Sequence, residues 1–190
     1  MTVKYITGDI CHFTGDAIVN AANVTLLGGG GVDGAIHKAA GPELREWCFR
    51  FPERWPFHQH KRILTGEALV TPGFRLQAKY VIHTVGPIFP KGRDPAFPGE
   101  RKMLDDASAI VALGKTLENC FDKAEKFGVK QIAFPAISCG VFGCDIGTFA
   151  EQLHATLGQD PRYDDLEVTV YLFDGVQYDM FDMAWKRLNG

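Results

Sequence analysis

The sequence predicts a layered α/β domain. Short, mainly apolar runs of strand length alternate with segments of helical periodicity, and the glycine-bearing motifs fall where a strand gives way to a helix. With 190 residues, 46% of them hydrophobic, the chain can bury a substantial core, and its length favours one domain, 1–190, over two.

Strand-like runs lie at 3–7, 17–21, 68–71, 80–85, 131–135 and 167–173. Many lack polar alternation, which suits a sheet covered on both faces. The longest helical pattern covers 100–127, where Met103, Ala107, Ile110, Gly114, Leu117, Phe121 and Ala124 recur every three or four residues. Gly128 follows where a left-handed residue would end that helix. Shorter helices are expected at 34–40, 147–157 and 176–188, and loops at 49–64 and 89–99. Neither an internal repeat nor a low-complexity segment is evident.

Composition excludes several function classes. A net charge of -3 and a pI near 6.1 give no broad basic field, so attraction to nucleic acid or an anionic membrane is not supported, and an anionic ligand must be held locally. Five cysteines, at 11, 48, 120, 139 and 144, without CxxC spacing, fit reduced thiols and a cytoplasmic setting better than a disulfide framework. The N-terminal MTVKYITGDI has no apolar signal-type segment, and no run reaches the ~18 apolar residues of a membrane span. Cys48, His58 and His60 form C-x9-H-x-H, which matches no common zinc pattern, so neither a metal nor a cofactor is expected.

The strongest local signal is Asn20-Ala-Ala-Asn23 followed by Gly28, Gly29, Gly30, Gly31, Val32, Asp33 and Gly34. Four consecutive glycines strip the loop of every Cβ, so its backbone can approach a ligand and turn N–H groups toward phosphate oxygens, beside the positive end of the next helix. Gly29, Gly31 and Gly34 formally satisfy G-x-G-x-x-G. The six residues between Ala21 and the first glycine, and an acidic residue (Glu53) in a Pro/Trp-rich segment, reject the dinucleotide-fold reading; no Gly-Lys-Ser/Thr follows for a Walker loop.

Asp33 has two readings at this level: a helix N-cap, or an acid/base or water-positioning group beside a phosphate-binding backbone. His37, four residues on, shares its helical face and is either structural or catalytic. A second loop, Ser138, Cys139, Gly140, Val141, Phe142 and Gly143, repeats the strand-to-helix placement. Two such loops can grip the two ends of a diphosphate, with Phe142 offering an aromatic face or plugging the core. Asp9, at the end of the first strand, either caps a turn or accepts from an amino group such as adenine's.

Taken together, GDI at 8–10, AIVNAAN at 17–23, GGGGVDGAIHKAAGP at 28–42, TGEA at 65–68, YVIHTVGP at 80–87 and FPAISCGVFG at 134–143 resemble the macrodomain family, in its MacroD-type branch, and run in that family's order. The resemblance implies a three-layer α/β/α fold with a central mixed, mainly parallel sheet and an ADP-ribose cleft across the strand ends. By motif it assigns Asp9 and Ile10 to the adenine, and Gly28, Gly29, Gly30, Gly31, Val32, Ser138, Cys139, Gly140, Val141 and Phe142 to the diphosphate and distal ribose. Asn20, Asn23, Asp33 and His37 fall at the ribose end.

The implied activity is hydrolysis of ADP-ribosyl esters, on mono-ADP-ribosylated acidic side chains of proteins and on O-acetyl-ADP-ribose. In that scheme Asn23 orients the ribose, Asp33 positions or deprotonates water, and His37 supports it; the alternative lets the substrate's own phosphate activate the water. A non-catalytic ADP-ribose binder and an ADP-ribose 1''-phosphate phosphatase are the competing functions. The chain departs from the family's pattern at Cys144-Asp145, where many relatives carry Tyr-Pro.

Overall fold

The computed structural model describes residues 2–53, 60–93 and 104–190. The chain runs through β1 (Thr2–Thr7), β2 (Ala17–Ala21), α1 (Gly31–Ala40), α2 (Pro42–Phe49), β3 (Ala68–Pro72), β4 (Tyr80–Thr84), α3 (Asp106–Lys126), β5 (Gln131–Pro135), α4 (Ile146–Gln159), β6 (Glu167–Leu172) and α5 (Gly175–Asn189), with 3-10 turns at Ile10–His12 and Pro161–Tyr163. The apolar runs pair in the order β1-β6-β5-β2-β4-β3, every neighbour parallel except β3, which lies antiparallel on β4. The five parallel strands therefore end at one edge of the sheet, where ligands of such folds are held.

Strand alternation sorts the side chains into two cores. Ala17 and Val19 of β2, with Ile82, Ile132, Phe134, Val168 and Val170, pack under α3, α4 and α5. Ile18, Val81 and Ala133 point the other way and pack under α1 and α2 through Ile36, Ala40, Leu44 and Cys48. Helices thus cover both faces of a mixed sheet, which is the three-layer arrangement expected.

Three elements differ from the sequence reading. Helix α1 begins at Gly31, three residues before the expected start, with Gly30 as its cap. A helix not anticipated, α2, follows at once: Gly41 takes φ 84° to break α1, Pro42 supplies a pre-set first turn, and Leu44 and Cys48, four apart, are its buried side. Helix α3 starts at Asp106 behind Asp105, whose Oδ1 accepts from Ser108 N at 2.8 Å; 100–103, including Met103, lie outside the described residues. Its buried side is Ala109, Leu113, Thr116, Leu117, Cys120, Phe121 and Ala124, so Ala107 of the expected stripe is exposed. Among the described residues no helix is long and apolar enough to cross a membrane.

Candidate active site

The site is built from a row of polar side chains on the α1–α2 face of the sheet. Asn20 of β2 sits opposite His83 of β4 in the parallel register. His83 in turn faces Leu69 of β3, which sets Thr71 on the diagonal of the same face. Asn20, His83 and Thr71 are all buried.

One set of proton positions satisfies this row. Asn20 Nδ2 donates to Asp33 Oδ1 at 2.8 Å and also lies 3.1 Å from His83 Nδ1. Since that nitrogen of Asn20 only donates, His83 Nδ1 accepts and its proton resides on Nε2, 3.0 Å from Thr71 Oγ1, whose hydroxyl passes on to Pro72 O at 3.1 Å. Burial, with His37 adding to it, pushes the His83 pKa down to about 3, which agrees with a neutral ring.

Asp33 hangs above this row from the first turn of α1. The helix is capped by Gly30, which makes Asp33 its third residue, and among the described residues the carboxylate takes its side-chain bonds from Asn20 and Asn23 and none from a helix N–H. Oδ1 takes the Asn20 bond and Oδ2 accepts from Asn23 Nδ2 at 3.2 Å. His37 Nε2 stands 3.5 Å from Oδ1, with only 10% of the His37 side chain and 5% of the Asp33 side chain exposed. Burial raises the proton affinity of Asp33, opposed by the Asn20 bond and by His37, while burial lowers that of His37. The result is a carboxylate more basic than usual beside a neutral imidazole.

Asn23 ties this acid to the glycine loop. Its Nδ2 donates to Gly28 O at 2.9 Å as well as to Asp33, and its Oδ1 accepts from Thr25 N at 2.9 Å and Thr25 Oγ1 at 2.6 Å. The loop then crosses directly over the carboxylate: a Cβ on Gly29 would lie 2.9 Å from Asn23 Nδ2 and 3.2 Å from Asp33 Oδ2. At Gly30 and Gly31 a Cβ would meet nothing within 4 Å among the described residues beyond its own chain neighbours and helix, so the side of the loop away from Asp33 is open. The first-turn N–H groups of α1 are free by helix geometry and join that open side.

The second loop closes the site from β5. Ser138 takes φ 65°, buries its side chain and donates from Oγ to Pro87 O at 2.9 Å. Phe142 O and Val141 O accept from Phe89 N at 2.9 Å and Arg93 N at 2.8 Å, and Cys144 N returns to Ser138 O at 2.9 Å. No partner is recorded among the described residues for the N–H groups of Gly140, Val141 and Phe142, a short run of backbone donors of the kind that holds anions.

A macro domain model matches residues 19–153. The chain belongs to the macro domain family. It is 40% identical over 189 residues to a macro domain-containing protein of Lactiplantibacillus plantarum, covering 98% of this chain and 97% of that one. It is 45% identical over 141 residues to the O-acetyl-ADP-ribose deacetylase of Salmonella typhimurium, covering 74% of this chain and 69% of the relative. Among solved structures, the Oceanobacillus iheyensis macrodomain with ADP superposes at a TM-score of 0.81 with 34% identity over 97% of this chain and 90% of that one. The Trypanosoma brucei macrodomain in complex with ADP-ribose gives 0.71 with 30% identity over 99% and 69%.

In this macro domain the sequence-predicted residues fall into three groups. Asn23, Asp33, His37 and the loop of Gly28 to Val32 come together, and the Ser138–Phe142 loop stands at the same sheet edge. Asn20 does not line the cleft: it is wholly buried behind Asp33 and acts from beneath. Asp9 is exposed at the end of β1, where its Oδ1 accepts from Cys11 N at 2.9 Å, a bond that holds its carboxyl below the usual range. Ile10 is buried, so only its backbone can face a ligand. Phe142 is half-buried against the α1–α2 core, and Ser138 offers backbone alone.

Cys48 and His60 do not form one site. Cys48 is buried, His60 is exposed 3.7 Å from Glu53, and His58 lies outside the described residues. Cys48 instead brings its Sγ within 4.8 Å of ligand-type atoms of His37 and His83. Both His83 nitrogens already have partners, so a cation there would have to displace Asn20 or Thr71.

Sequence reasoning missed His83, Thr71 and Phe173. The first two look like ordinary strand residues until the register aligns them. Phe173 follows β6 and is 84% exposed; Gly8 N donates to Leu172 O at 3.2 Å, which brings the backbone at residue 173 alongside Gly8. An exposed aromatic at the end of an apolar strand was its available signal.

Proposed function

We propose that the protein binds ADP-ribose across the carboxyl ends of its parallel strands and hydrolyses esters at the distal ribose, releasing mono-ADP-ribose from acidic side chains and acetate from O-acetyl-ADP-ribose. One observation carries the catalytic half: Asp33 caps nothing. Its carboxylate is buried, oriented by two amides and beside a neutral imidazole, which is the environment of a general base.

In this reading the two loops hold the diphosphate by backbone N–H groups, which suits a chain of net charge -3 that has no basic field to offer. Asp9 accepts from the adenine amino group and Phe173 covers the ring face. The distal ribose rests over Gly29 and Gly30, above Asp33. Asp33 takes a proton from the attacking water, the hydroxide adds to the ester carbonyl, and the tetrahedral intermediate collapses with the ribose oxygen as leaving group, which takes up the proton that Asp33 gives back. Asn20 and Asn23 keep the carboxylate in place, and His37, uncharged, leaves it free to accept the proton. The deacetylase name of the Salmonella typhimurium relative supports this reading.

The test is release of ADP-ribose from a glutamate-modified protein, and of acetate from O-acetyl-ADP-ribose, by wild type and Asp33→Ala. Loss of a general base lowers turnover by about 10²–10⁴-fold, while affinity for ADP-ribose changes by far less. Full esterase activity in Asp33→Ala moves the base to the substrate phosphate. Binding without turnover in wild type leaves a recognition module, and no binding removes the proposal.

A further inference from the structure

Cys139 and Cys144 open and close the second ligand loop, and the chemistry above uses neither. Cys144 N donates to Ser138 O at 2.9 Å, and the Ser138 carbonyl carbon is bonded to the nitrogen of Cys139. The two residues are therefore adjacent across the neck of the loop, the placement a disulfide needs for Cα atoms about 4.4–6.8 Å apart. Their thiols converge: Cys139 Sγ lies 3.7 Å and Cys144 Sγ 3.3 Å from the same oxygen, Asp145 O.

We propose that Cys139 and Cys144 are a thiol–disulfide modification site whose closure clasps the Ser138–Phe142 loop in its ligand-holding shape. The oxidant is a low-molecular-weight disulfide such as glutathione disulfide. The Cys139 thiolate attacks one of its sulfurs, breaking that S–S bond and expelling one small thiol. The Cys144 thiolate then attacks Cys139 Sγ and expels the second. The two protons lost by the cysteines end on the two released thiols, and the two electrons that the cysteines give up reduce the small disulfide.

Cys139 is the partly exposed member and takes the first attack; Cys144 is buried and resolves it. The hydrogen bond shared with the Cys144 thiol, and then burial, hold the Cys139 proton well above the ordinary thiol range. Exchange is accordingly slow at neutral pH and accelerates in alkaline buffer, which makes the pair a durable clasp and not a fast sensor. Closing it turns side chains while the Cys144–Ser138 backbone bond stays. Ser138 at φ 65° is a backbone conformation that the unclasped chain must be held to adopt. The clasp lowers that ordering cost, so ligand affinity rises. This affinity effect rests on the ADP-ribose reading; disulfide formation itself does not.

The experiment uses the whole protein, as wild type, Cys144→Ser and Cys139→Ser, incubated with glutathione disulfide at alkaline pH. Intact mass, peptide mapping under non-reducing conditions, melting temperature and ADP-ribose titration are read before and after. Wild type should lose two hydrogens, show residues 139 and 144 in one linked peptide, and melt about 4–8 °C higher, the shift given by closing so small a loop in a chain of this size. Its affinity for ADP-ribose should rise several-fold, and dithiothreitol should reverse all of these changes. Cys144→Ser should retain glutathione on Cys139 and gain neither stability nor affinity.

Wild type that retains glutathione on Cys139, or that reacts only at Cys11, overturns the pair. A 139–144 disulfide that leaves both melting temperature and affinity unmoved overturns the clasp. If reduced wild type binds no ADP-ribose, the proposed function falls, and the mass and melting readouts still decide the disulfide.

Discussion

Replacing His83 by Gln tests the buried polar row at its centre. The ring is inaccessible to solvent, accepts from Asn20 and donates to Thr71, and its pKa is held at about 3 by burial. An unfolded chain titrates the same ring near ~6.5. The folded value is the lower one, so between the two the unfolded state binds the extra proton. The stability contributed by a neutral His83 is complete above the unfolded value and is lost as pH falls through the window toward the folded one. At about 1.4 kcal/mol per pH unit, roughly 2 kcal/mol is gone by pH 5, and the whole window corresponds to about 5 kcal/mol. Glutamine carries no charge at any of these pH values and can reproduce both bonds, Oε1 accepting from Asn20 and Nε2 donating to Thr71. The assay is urea unfolding of both proteins at pH 7.5, 6 and 5. Carboxylates common to both cancel in the difference, so wild type should lose about 2 kcal/mol relative to His83→Gln between pH 7.5 and 5. A difference that stays constant with pH would mean that His83 is protonated or solvated in the fold, and the proton assignment along the row would fail.

Two glycine substitutions separate backbone packing from ligand contact. A Cβ on Gly34 would lie 2.4 Å from Gly29 O, so Gly34→Ala should cost about 1–3 kcal/mol in denaturant midpoint experiments. A Cβ on Gly30 meets nothing within 4 Å among the described residues beyond its chain neighbours and its φ of -94° accommodates alanine, so Gly30→Ala should stay within about 0.5 kcal/mol of wild type. Its ADP-ribose affinity should nonetheless fall by calorimetry, and unchanged affinity would place the ligand elsewhere. Phe173→Ala should leave the melting temperature unmoved because the ring is 84% exposed, yet weaken ADP-ribose by about 1–3 kcal/mol through the lost stack. Ribose 5-phosphate, which has no adenine, should bind both proteins equally.

What the sequence made legible follows from local chemistry. Apolar runs became strands with near-correct ends because few charges interrupt them, and both glycine loops landed at the strand-to-helix junctions where they were expected. Helix α2 escaped because its apolar pair, Leu44 and Cys48, spans a single helical repeat, too short a pattern to stand out beside the aromatic-rich segment that follows. Asp33 kept two readings because capping and acid/base work ask for the same side chain, and the difference lies two residues upstream, in whether the helix begins at Gly31 or at Gly34. His83 and Thr71 were invisible for another reason. Their meaning depends on cross-strand register, which joins residues 12 and 63 positions apart and leaves no trace in local spacing.

The burial of Asp33 bears on why this site is read as reactive as well as adhesive. Among the described residues no lysine or arginine forms a salt bridge with it, and the support it has comes from the Asn20 and Asn23 amides, the Asn23 backbone N–H and an uncharged imidazole. Such an arrangement is a poor way to stabilise a fold, since a buried charge without a counter-ion costs more than an apolar residue of similar size. Nor, with the ligand placed as proposed, is it a good way to hold a diphosphate, because a carboxylate beneath the ribose would add repulsion to a ligand held by the loop N–H groups. What the arrangement provides is a carboxylate of raised proton affinity, fixed by Asn20 from below and Asn23 from the side, under a loop whose glycines let a substrate come within reach. A protein that only recognised ADP-ribose could place an amide or an alanine there and bind more tightly, so Asp33→Ala should bind the product at least as well as wild type while failing to make it.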